Sequence, residues 1–227
     1  MFYSNLVKST EKEKKSLYDT QIIKDAISGN VTIGEYIYFL SQAYHHVKYT
    51  AKLMMYMGSL LSISNKNFLK ASREYINEEY GHEEWILNDI SNSSYDKEKV
   101  KNSVPNIHTK LIISYAYDLI SRKNPLCFFG MVYVLEGTSI ELADKAANAI
   151  KKSLNLNNNS FSYLVSHGSL DKDHVLFFEN LMNEIKLESD QCDIIESAKD
   201  FFYLYKNILH SVKNPHLDVN NWRILWM

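Results

Sequence analysis

Seven glycines and three prolines are all the helix-breaking residues that 227 positions contain. So few leave little punctuation for anything but helices, and helical spacing runs through most of the chain. Cysteine is nearly absent: Cys127 and Cys192 permit one disulfide arithmetically, and nothing requires it. An excess of one charge is missing too. A net charge of −2 with neutral histidine argues against a nucleic-acid surface and against a polybasic membrane anchor. The longest unbroken apolar run, Leu126 to Leu135, falls short of the roughly 20 residues that a spanning helix needs. The first residues run into Glu11-Lys-Glu-Lys-Lys without the charged-then-apolar layout of a signal peptide. A cytoplasmic protein with no membrane segment is the expectation.

What is present is a succession of helical periods. One helix is predicted over about 11–28, ending at Gly29-Asn30. Thr32-Ile-Gly-Glu35 has the form of a capping box. It opens a long second helix to about Ser62, with Ile37, Leu40, Tyr44, Val47, Ala51 and Met54 in helical register. Further helices are predicted over about 64–92, 107–122, 125–153, 160–187 and 191–210. Short joins between seven rods give an all-α bundle. No linker divides the chain, so residues 1–227 form one domain with its core at about 30–210. The tail, 211–227, carries Trp222 and Trp226, which suggests docking onto the body or onto a partner.

Three stretches carry chemistry. His167, Asp171 and His174 stand at i, i+4 and i+7, within roughly 60° of each other on one helix face. Two imidazoles and a carboxylate on one strip suit a transition metal; the bland reading is a polar surface helix. Glu79 and His82 are spaced i, i+3, the Glu-x-x-His pair of carboxylate-bridged di-iron bundles. Their neighbours Glu78, Glu83 and Glu84 are read as solvated. Asp89, two turns beyond His82, could hold the far ring nitrogen of a ligand histidine or cap a neighbour. Glu136 is the first charge after the apolar run from Leu126. A carboxylate on such a face is buried, and a buried charge must be paired or bind metal.

In the second helix His46 is placed inward as a further ligand or as a supporting residue, and His45 outward. His108, His210 and His216 lack partner spacing and are read as surface. Cys127 could be a nucleophile, but free cysteine is more often inert core.

With these residues in place, the chain resembles the haem-oxygenase-like di-iron oxidases and oxygenases, in the superfamily that includes TenA-type thiaminases and pyrroloquinoline-quinone synthase. The match rests on His167-x-x-x-Asp171-x-x-His174, Glu79-x-x-His82 and Tyr133-Val-Leu-Glu136-Gly, in that family's order. The resemblance implies a seven-helix bundle and two ferrous ions held by Glu79, His82, Glu136, His167, Asp171 and His174. It implies dioxygen as co-substrate and a small organic molecule, or a side chain of the protein itself, as the group oxidised. Tyr133, Tyr44 and Phe129 are expected pocket walls, and a homodimer is usual for the fold. Relatives with an extra carboxylate on the second helix differ from this chain, which has His46 there. Some relatives also place a glutamate where Tyr75 stands, so Glu79 must serve. Two alternatives share the fold: a metal-free TenA-type hydrolase using Cys127, and a non-catalytic binding protein.

Overall fold

A computed structural model describes residues 1–168 and 172–213, except the side chains of 167, 168 and 172–174. Among the described residues all regular structure is helical. In chain order the helices are α1 (Phe2–Ser9), α2 (Glu11–Tyr18), α3 (Gln21–Ser28), α4 (Ile33–Val47), α5 (Thr50–Leu60), α6 (Lys66–Glu79), α7 (His82–Asn92), α8 (Lys97–Lys101), α9 (Ile107–Asp118), α10 (Phe128–Leu154), α11 (Ser162–Gly168), α12 (Lys172–Asn183) and α13 (Glu188–Lys213). The predicted bundle is present, but its first three rods are jointed. The first is two helices broken near Thr20, the second breaks after Val47, and the third breaks at Tyr80-Gly81. Helix α1, which was not predicted, buries Phe2 and Leu6.

The capping box is as expected. The Thr32 hydroxyl accepts from the Glu35 backbone N–H at 3.2 Å, and Glu35 accepts from the Thr32 N–H at 2.7 Å. Lys213 at 2.8 Å completes the shell of Glu35.

Helix α10 is the axis of the molecule and packs against α13, α11 and α3. Its N-terminal half buries Phe128, Phe129, Met131, Val132 and Val134. With the preceding turn it forms the stretch Pro125–Leu154, which among the described residues is long and apolar enough to cross a bilayer. Here it is the core of the bundle. Gly130 lets α13 approach: a Cβ there would lie 2.1 Å from the Ser197 Oγ and 2.7 Å from the Ala198 N. Helix α4 is enclosed on nearly every side and buries most residues from Tyr36 to Val47.

Candidate metal centre

Helix α6 stops at Glu79. Tyr80 is extended (φ −68°, ψ 117°) and Gly81 takes φ +93°, a left-handed backbone that favours glycine. Helix α7 then starts at His82. Glu79 and His82 are therefore not a pair on one helix, as the spacing suggested, but face each other across a joint. The His82 Nδ1 lies 3.3 Å from a Glu79 Oε, and both side chains are largely buried. The His82 ring stacks on Trp85 with centroids 4.1 Å apart.

Glu136 projects from α10 into the same region. Burial pushes its carboxyl well above the ordinary range. The Glu79 and Glu78 carboxylates push it further, and a hydrogen bond from Tyr75 pulls it partly back. The Tyr75 hydroxyl is raised in turn, by burial first and then by Glu136, Glu78 and Glu79.

Glu79, Glu136 and Tyr75 line one cavity, with about 580 Å³ of empty space, part of it open solvent; His82 lies beside Glu79 and is not among its described walls. Its walls include His46, Tyr75, Glu79, Glu136, Tyr163 and Tyr205, closed by Met54, Phe128, Met131 and Leu135. The inward placement of His46 holds: it is 3% exposed, and its ring meets Tyr205 edge-on at 6.3 Å. Among the described lining residues none is lysine or arginine.

The remaining predicted residues fall elsewhere or outside the description. Asp171 and the side chains of His167 and His174 lie outside the described residues, so the His-Asp-His strip is not placed. Among the described residues, no three His, Cys, Asp or Glu side chains gather into a metal-binding group.

Asp89 caps α11. Its carboxylate accepts from the Ser162 and Tyr163 backbone N–H groups, both at 2.9 Å, and from the Ser162 hydroxyl. It thereby fixes the start of the helix whose last turn includes His167.

Tyr44 is not a wall of this cavity. It turns toward α7 and α8, where Glu84, Glu83 and Glu98 lie near it, and Lys48 sits 4.8 Å above its ring. Tyr133 lines a neighbouring cavity instead, with Tyr3, Tyr18, Phe178 and the Lys14–Glu141 ion pair. Glu136 lines that cavity too.

His45, expected outside, is fully buried. Its Nε2 is 2.8 Å from the Ser103 hydroxyl. Burial, Lys48 and His46 depress its imidazole to about 3, so it is neutral. Cys127 is buried, and burial above all, with Asp193 adding, pushes its thiol up to about 12, the opposite of an activated nucleophile.

Sequence reading missed Tyr163 and Tyr205 as walls. In a bundle with this many core aromatics, nothing in their spacing separates a cavity wall from packing.

A family profile described as iron-containing redox enzyme matches residues 37–206. No curated protein matches the chain significantly. Among solved structures, a domain of unknown function with a heme oxygenase-like fold from Shewanella denitrificans is similar, with 24% identity and a TM-score of 0.84; the match covers 95% of this chain and 93% of that one. A TenA homologue from Pseudomonas syringae has 10% identity and a TM-score of 0.81, covering 94% and 93%. Heme oxygenase-1 from the cyanobacterium Synechocystis has 11% identity and a TM-score of 0.76, covering 96% and 95%. At these identities the likeness is one of fold.

Proposed function

Because the chain belongs to the iron-containing redox enzyme family, we propose that it is a non-haem iron oxidase that uses dioxygen to oxidise a small organic substrate. Iron would be held by Glu79, His82 and Glu136 only together with His167, Asp171 and His174, since the described donors alone form no metal-binding group, and His46 would be a further donor. Six donors of this kind suit two ferrous ions.

The observation that carries this reading is the setting of Glu136. A largely desolvated carboxyl faces other carboxylates across a cavity partly open to solvent, and the described group that bonds it is a neutral tyrosine. Such a group is costly as an anion in the apoprotein. A bound cation would turn that repulsion into attraction, and oxygen and nitrogen donors match iron. The donor set therefore fits the metal that the family's description names.

When bound, ferrous iron supplies the electrons that reduce dioxygen. The chain does the rest. Tyr75 orients the Glu136 carboxyl through their hydrogen bond. Phe128, Met131 and Leu135 keep the space apolar and limit bulk water. Asp89 anchors the helix that includes His167. The likeness to TenA homologues is compatible with a metal-free hydrolase. Against that alternative stand the raised thiol of Cys127 and its absence from the cavity's described walls.

Anaerobic titration with ferrous iron tests the reading by counting metal bound per chain. Wild type is expected to hold about two ions, and Glu136→Ala and His167→Ala to hold fewer. Equal loading in all three proteins, or none in wild type, overturns it.

A further inference from the structure

Four consecutive residues of α10 stand where three cavities meet. Glu136 lines the carboxylate cavity and the tyrosine-lined one. Gly137 and Thr138 line the latter. Thr138 and Ser139 both line a third space, and Ser139 also returns to the carboxylate cavity. That third space lies between α3, α4, α10 and α13, with about 760 Å³ empty, part of it open solvent. Its walls are mainly aliphatic: Ile22, Ile23, Leu142, Ala143, Ala146 and Leu209.

Of the polar groups on this wall, Tyr36, Thr138 and Glu35 are already engaged, and Ser139, Tyr163 and Tyr205 stand at its border with the carboxylate cavity. The Tyr36 hydroxyl donates to the Ser160 carbonyl at 2.7 Å. The Thr138 hydroxyl donates to the Val134 carbonyl at 2.6 Å. The Glu35 carboxylate is held by Thr32 and Lys213. A polar occupant would lose its water here and gain little in exchange, whereas a hydrocarbon would gain contacts that the walls otherwise lack. Ser139, Tyr163 and Tyr205 belong to both this chamber and the carboxylate cavity. A molecule seated in the chamber therefore has one end at the side chains that border the cavity of Glu136 and Glu79.

We propose that this chamber binds the hydrocarbon tail of the substrate, so that the substrate class is an aliphatic chain whose reacting end lies past Ser139. That the occupant is the substrate rests on the iron reading above; that the chamber takes an aliphatic chain does not.

The probe is a series of 1-alkanols, from hexanol to dodecanol, displacing Nile red from the full-length iron-free protein. Affinity should rise about fourfold per added methylene until the chamber is full and then level off. Ala146→Phe and Ala26→Phe fill it from α10 and from α3 and should each weaken 1-decanol by at least tenfold. A crystal soaked with 10-bromo-1-decanol should show bromine in the chamber, which keeps the question answerable if either variant fails to fold. Affinity that ignores chain length, filled variants that bind as wild type does, or bromine located elsewhere overturns the proposal. Glu136→Gln should keep alkanol affinity while losing iron. If wild type takes up alkanol in the chamber but no iron, the oxidase reading fails and the chamber assignment stands.

Discussion

Asp89 and Glu136 are both acidic side chains embedded in the same bundle, and they have opposite surroundings. Burial raises the Asp89 carboxyl, but two backbone N–H groups and a hydroxyl pull it back. Burial raises Glu136, and two further carboxylates push in the same direction. An acid surrounded by donors is part of the construction. An acid that faces other acids needs a counter-charge, and none of the described walls of the carboxylate cavity carries one as lysine or arginine. Burial alone cannot tell the two apart; the sign of the neighbours does.

The comparison breaks most sharply if Glu136→Gln keeps its metal. We expect its ferrous affinity to fall by roughly 10- to 100-fold, measured by anaerobic titration. The iron-free variant should nevertheless be no less stable than wild type at neutral pH. The native Glu136 keeps its proton to a higher pH than the unfolded chain does. Stability of the iron-free protein therefore falls as pH rises above the ordinary value of 4.5, by at most about 1.4 kcal/mol per pH unit. Urea titrations between pH 5 and 8 should show that slope in wild type and its loss in the glutamine variant.

Asp89→Ala should do the reverse, costing about 3 kcal/mol in urea denaturation, because three donors at the start of α11 lose their acceptor. A loss below about 1 kcal/mol would place Asp89 with Glu136 rather than opposite it.

His45 extends the contrast to a base. Its imidazole is depressed to about 3 from 6.5, so the unfolded chain binds a proton between those values and the native state does not. Stability should fall as pH drops below 6.5, by up to about 1.4 kcal/mol for the first full unit within that window. His45→Gln should flatten this acid limb; an unchanged limb would assign it to other groups.

The smallest effect belongs to Glu35, a carboxylate at the rim. Thr32→Ala removes half of its capping box and should cost about 1 kcal/mol, read as a shift in urea midpoint at constant slope.

The sequence showed the capping box at Thr32 because that signal is local and chemical. It showed that Glu136 turns inward, because a charge ending a long apolar run has nowhere else to go, although the side chain is half-buried on cavity walls. It placed His45 wrongly because face assignment assumes that a helix has an outside, and α4 has almost none. The joints after Val47 and at Tyr80-Gly81 were invisible for a related reason. The helical period continues across each break, and packing, not propensity, decides where the rod bends. Asp89 could be a cap or a supporting residue on spacing alone, since the choice depends on a segment 73 residues away. Tyr75 carried a signal one turn before Glu79. Its partner Glu136 lies on another helix, beyond the reach of any window.

The backbone turn at Gly81 gives the centre a mechanical property. Had Glu79 and His82 shared one uninterrupted helix, their separation would be fixed before any ion arrived. With the donors on two struts meeting at a pivot, the span between them is adjustable, and an ion that engages both acts as a brace. Loading would then stiffen the elbow between α6 and α7, so uptake and rigidity rise together.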